Sequence, residues 1–182
     1  MERRERSSSI IMLVFFIPLI IWSIIQFIAP LALPANSVDD LSGVTGISDN
    51  KEIIDSMPAP WNTVYSIGDS LCHEKAERSF FINGNQMPFC SRCTAIWLGL
   101  AIGLGFMVFY KIKLDEKFVF VLIAGIVPIG IDGVGQLFGL WESTNLIRVI
   151  TGIIVGIVCG VAIGVIIDEI KEMIYSKKTQ SN

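Results

Sequence analysis

Residues 146–167 read LIRVITGIIVGIVCGVAIGVII. After Arg148 and Thr151 the run carries no polar side chain but Cys159, and a transmembrane helix needs about 20 predominantly apolar residues. Gly152, Gly156, Gly160 and Gly164 recur every fourth residue. That spacing puts them on one helical face, the small-residue face that lets helices approach closely in a bilayer. Three other runs have the same character: residues 10–33, 94–110 and 118–131, the last meeting Asp132, Gly133, Gly135 and Gln136 before the apolar stretch 137–141, so that about 132–145 reads as a short outer segment. The first contains Pro18 and Pro30 and follows Arg3, Arg4 and Arg6. It is longer than the roughly 7–15 residues of a signal-peptide apolar region, which predicts a retained helix. The chain is 52% hydrophobic and 17% charged, against about 25% charged in an ordinary soluble domain. The expectation is an all-α polytopic membrane protein of about four transmembrane helices, and the cell membrane is its expected location.

Basic residues orient the chain. Short loops rich in Lys and Arg stay cytoplasmic. Nine of the fourteen Lys and Arg residues fall before the first run, in the turn between the second and third (Lys111, Lys113, Lys117) and after the fourth (Lys171, Lys177, Lys178). With four spans these segments share one side, so both termini are expected in the cytoplasm. The expected organisation is a basic N-terminus and first span (1–33), an extracytoplasmic loop (34–93), three further spans (94–168) and a cytoplasmic tail (169–182). Within the loop, residues 36–55 read as solvated and mildly acidic, with a helical turn near Lys51. Trp61, Val64, Tyr65 and Leu71 have the spacing of a short amphipathic helix ending near Cys72. The net charge of −3 argues for no particular partner, and the Lys and Arg residues, in short clusters near the chain ends and between apolar runs, form no nucleic-acid footprint.

The residues with chemistry lie on the outer side. Cys72-His73 precedes Cys90-Ser91-Arg92-Cys93. A two-residue gap lets a pair of thiolates hold one metal ion, and Cys72 with or without His73 completes a Cys-rich ligand set that suits zinc. The same cysteines also suit a disulfide or redox pair in an oxidising compartment, or plain burial. Cys159, in mid-helix, reads as packing. Asp132 follows residues 118–131, about 21 Å of helix, short of the ~30 Å hydrocarbon core. It therefore sits below the outer interface, where an ionisable group is functional by default. Gln136 shares its face, Arg148 is a candidate partner for Asp132 or Glu142, and Asn145 is a candidate helix cap. The competing reading is a structural ion pair locking the last two spans.

These residues carry a resemblance. Cys72-His73, Arg78-Ser79-Phe80, Pro88-Phe89-Cys90-Ser91-Arg92-Cys93-Thr94, Asp132-Gly133, Gln136, Glu142-Ser143-Thr144-Asn145 and Arg148 resemble the motifs of a family of small prokaryotic membrane proteins known as domain of unknown function 2085. The resemblance spans roughly residues 65–165. Glu74, Ala95 and Gly135 depart from the family pattern. The resemblance implies a fold and a set of motif residues but no reaction.

Together these readings predict an outward-facing Cys/His zinc site beside an Asp/Glu/Arg cluster. Asp132, Glu142, Gln136 and Arg148 are the candidate catalytic residues. Arg92, Arg78 and Asn145 are candidates for holding an anionic group such as a lipid phosphate. The expected partner is the bilayer, with a lipid-linked substrate. A metal-dependent hydrolase or transferase is one form of this idea; a thiol-disulfide oxidoreductase and a non-enzymatic accessory protein with a structural metal are the alternatives. The sparsely polar second and fourth spans argue against a transport path.

Overall fold

The structure, a computed structural model, describes residues 2–41, 43 and 45–180. The side chains of residues 2–9 and 178–180, which include Arg3, Arg4, Arg6 and Lys178, lie outside the described ones. Four long helices dominate: α1 (Glu2–Ala32), α4 (Ser91–Phe109), α5 (Glu116–Leu137) and α6 (Asn145–Gln180). All four are long and apolar enough to cross a membrane. Between α1 and α4 lie α2 (Lys51–Asp55), α3 (Trp61–Leu71), a 3-10 turn at Ala76–Arg78 and an antiparallel hairpin of β1 (Ser79–Ile82) and β2 (Asn85–Cys90). Large apolar side chains stay exposed along the helices, Phe120 at 74% and Leu137 at 81% among them. In water such a surface would aggregate; in a bilayer it is the lipid-facing wall.

The glycine stripe of α6 packs directly on α4. A Cβ on Gly156 would meet the Ile96 carbonyl at 2.5 Å and the Gly99 Cα at 2.8 Å. Gly152 faces Arg92 and Ala95, and Gly164 faces Met107, so the two helices run parallel with their N-termini together. Gly156→Leu is therefore expected to force the pair apart and cost about 3 kcal/mol, the upper part of the usual overpacking range. A wild-type unfolding midpoint for that variant in detergent would contradict this packing.

α5 returns antiparallel along α6, with Gly125 against Val158. Its start is capped by Asp115, whose side chain accepts from the Phe118 amide at 2.8 Å. Lys111 Nζ reaches Glu172 Oε1 at 2.7 Å and ties the turn before α5 to α6. Two boundaries differ from the sequence reading. Helix α5 continues through Asp132 to Leu137, since an intramembrane backbone keeps its internal hydrogen bonds. Helix α6 runs on to Gln180, so the expected tail is mostly helical.

The segment read as a solvated loop is anchored. Val38 and Leu41 are buried in a cluster with Ala29, Leu33, Ile54, Met57, Val64 and Tyr65. Two buried amides of β2 hold that segment in place. Asn85 Oδ1 accepts from the Ser37 and Val38 amides at 2.8 and 3.0 Å, while its Nδ2 donates to the Pro30 and Pro34 carbonyls, both at 2.9 Å. Gln86 Oε1 accepts from the Leu41 amide at 2.9 Å, and the Tyr65 hydroxyl donates to the Gln86 carbonyl at 2.7 Å.

Candidate functional site

Cys72 ends α3, with extended backbone at φ −135° and ψ 154°. Cys90 closes β2 and forms the N-cap of α4, which puts Cys93 in that helix's first turn. The hairpin brings the two segments together: its turn, Asn83-Gly84, has positive φ at both residues, 57° and 72°, the arrangement Asn-Gly favours. Ser79 thereby pairs with Cys90 across the strands. The hairpin is absent from the sequence reading, although Asn-Gly between Phe80-Phe81-Ile82 and the following strand was a usable signal.

The result is a triad of sulfurs. Cys72, Cys90 and Cys93 Sγ atoms all lie within 4.8 Å of one another, and all three thiols are free. This cluster can hold a metal ion: metal–sulfur bonds of about 2.3 Å bridge such a triangle after small side-chain rotations. The Cys90 amide points at Cys72 Sγ at 3.4 Å. Hydrogen bonds from the Cys72 and Cys93 thiols, then from the Cys93 and Arg92 amides at the start of α4, hold the Cys90 thiol far below the ordinary range. Cys72, whose strongest interaction is with Cys90, is pushed up to about 11. A thiolate at a helix N-terminus is the expected outcome of that geometry.

His73 does not join the sulfurs. Successive side chains on extended backbone point to opposite sides. The exposed imidazole accordingly turns outward, with Nδ1 3.0 Å from Thr45 Oγ1. Glu74, singled out from sequence only as a departure from the family pattern, is fully buried with neither carboxylate oxygen partnered. Burial, then the charge of Asp69, raises it to about 9. Its carboxyl fits because position 68 is glycine; a Cβ there would overlap Glu74 Oε1 and the Pro88 carbonyl.

The second cluster meets the first through the start of α4. Arg92, between Cys90 and Cys93, is ion-paired to Asp132 of α5. Asp132 is 5% exposed and also accepts from Ser143 Oγ at 2.9 Å and Trp141 Nε1 at 3.4 Å. Ser91 Oγ donates to Asn145 Oδ1 at 2.9 Å. The residues around Cys90 and Cys93 thus reach both α5 and α6.

Three partnerships differ from expectation. The partner of Asp132 is Arg92 rather than Arg148. Arg148 instead donates to Asn145 Oδ1 at 3.2 Å, and with the Gln136 amide turned so that its oxygen faces the two guanidinium groups, that oxygen accepts from Arg148 Nη2 at 2.9 Å and Arg78 Nη2 at 3.3 Å. Glu142 is exposed and outside these contacts. Thr144, not Asn145, caps α6, its hydroxyl accepting from the Ile147 amide at 3.3 Å. Ser91, Trp141 and Ser143 are the residues of this network that the sequence reading missed; Ser91 and Ser143 sit inside the quoted motifs and Trp141 immediately precedes one.

The family model for a predicted membrane protein (DUF2085) matches residues 72–162. The match begins at Cys72 and contains Cys90, Cys93, Asp132 and Arg148. The chain is 40% identical over 92 residues to an uncharacterised protein of Methanocaldococcus jannaschii, an overlap of 49% of this chain and 58% of that protein. It is 37% identical over 83 residues to an uncharacterised protein of Methanothermobacter thermautotrophicus, covering 46% of this chain and 75% of the relative. The chain therefore spans little more than half of the first relative. No solved structure matches it.

Proposed function

This chain belongs to the DUF2085 family of predicted membrane proteins, and from that premise we propose that its role is carried by a zinc centre on Cys72, Cys90 and Cys93 at the outward end of the bundle. The supporting observation is the convergence of three free thiols from α3, β2 and α4 within 4.8 Å. Three thiolates select a soft or borderline metal, and three protein ligands leave a fourth position open, as in catalytic zinc sites. A metal there would supply Lewis acidity and an activated water. Asp132 already accepts from Arg92, Ser143 and Trp141. Its oxygens are committed, so its role is to fix Arg92 beside the cysteines rather than to act as a free base. The outward assignment follows from Lys111, Lys113, Lys117, Lys171 and Lys177, which lie toward the opposite end of the bundle. A hydrolase or transferase acting on a membrane substrate is the enzymatic form of this reading.

Full-length protein purified in detergent under reducing, chelator-free conditions is expected to carry about one zinc per chain by elemental analysis, with three thiols shielded until the metal is stripped. Metal-free protein that loses two free thiols in oxidant would support dithiol–disulfide chemistry instead. In intact cells, a membrane-impermeant maleimide should reach cysteine placed at position 73 and spare cysteine placed at position 113; the reverse pattern inverts the orientation.

A further inference from the structure

We propose that Arg78, Arg92 and Arg148 form a receptor for a phosphate group beside the three cysteines. The inference rests on the functional reading of this same outer site and names what it binds. Arg148 is 4% exposed, and both Arg78 and Arg92 stand close enough to repel it. A buried guanidinium is ordinarily matched by a carboxylate. Here most of the contacts are to neutral oxygens. Gln136 accepts from Arg78 and Arg148, and Asn145 accepts from Arg148. The buried carboxylate in reach is Asp132, and it is taken by Arg92. Glu77 lies 3.8 Å from Arg78, but its side chain is 68% exposed and screened by water. Arg78, Arg92 and Arg148 therefore share one buried carboxylate, Asp132.

Two further features have the same sign. The parallel packing of α4 and α6 places both their N-termini here, and each contributes a positive dipole end. Arg92 Nε is buried without a partner, a donor left over after the ion pair is made. Guanidinium forks match phosphate oxygens bidentately. Arg78, Arg92 and Arg148 come from three separate elements, the turn before β1, α4 and α6, so an anion bound among them would cross-link the outer end of the bundle. Asp132 and Arg148 lie within the membrane-spanning helices. A phosphate reaching them from the interface is therefore more readily a lipid headgroup than a free ion.

The test uses full-length protein in detergent and follows the unfolding midpoint during titration with phosphatidic acid, diacylglycerol or inorganic phosphate. Phosphatidic acid is expected to stabilise the protein and diacylglycerol to have no effect. Stabilisation by inorganic phosphate alone would keep the phosphate receptor and identify its source as a soluble anion. Arg78→Gln should weaken the apparent affinity about tenfold. Its side chain is 32% exposed, so the variant folds, whereas Arg148→Gln tests folding as much as binding. Lys51→Gln, an exposed charge in the same outer segment, should leave affinity unchanged. Equal responses to phosphatidic acid and diacylglycerol with none to phosphate, or equal weakening by Lys51→Gln and Arg78→Gln, would overturn the proposal. Zinc measured on the same samples is independent: loss of zinc with phosphate binding intact removes the metal reading alone.

Discussion

Asp132→Asn is expected to destabilise the protein by about 3–5 kcal/mol, the loss associated with removing one partner of a buried ion pair. The substitution keeps shape and an acceptor oxygen and removes only charge. Asp132 is 5% exposed and its ion-pair partner Arg92 has a side chain 21% exposed, so neither water nor salt can replace the interaction fully. Two more guanidinium groups, Arg78 and Arg148, share the neighbourhood; without the carboxylate all three repel one another. The variant should unfold at a markedly lower temperature or denaturant concentration. The double variant Arg92→Met/Asp132→Leu should lose much less than the two single changes added together, because it leaves neither member of the pair facing an absent partner. Strict additivity in that cycle would mean that the pair does not join α4 to α5.

Cys90→Ser is expected to weaken zinc binding at least a hundredfold. Replacing only an outer partner of a metal ligand already costs about 10–100-fold, and Cys90 is one of just three sulfurs in the cluster, all within 4.8 Å of one another. Competition against a chelator of known affinity, in reducing detergent solution, measures the change. Cys159→Ser should leave affinity at the wild-type value, since Cys159 lies in mid-α6 outside the sulfur cluster. His73→Ala should alter it no more than a few-fold, because the imidazole is turned toward Thr45. Wild-type zinc affinity in Cys90→Ser would remove the proposed centre. A His73→Ala loss as large as that of Cys90→Ser would mean that the ligand set includes the imidazole.

Membrane class and helix number were legible in the sequence because both depend on local quantities. The apolar runs are long enough to span, their flanks carry the Lys residues, and a fourfold glycine period marks the face α6 turns to α4. The bounds of α3 were legible for the same reason, since Trp61, Val64, Tyr65 and Leu71 repeat with helical spacing. The motif residues also identified Cys72, Cys90, Cys93, Asp132, Gln136 and Arg148 as the ones to watch.

Which of those residues meet was decided by the tertiary structure. The Asn83-Gly84 turn folds β1 onto β2 and carries Cys90 back to Cys72. The extended backbone at Cys72 turns His73 away from the sulfurs. Parallel packing of α4 on α6, rather than sequence proximity, gives Asp132 to Arg92 and leaves Arg148 to Gln136 and Asn145. The physical reason is one of range. Hydropathy and helical period act over a few residues and are written along the chain. Ligand geometry and charge pairing act across space, and they exist only once separate helices have been brought within a few ångströms of one another.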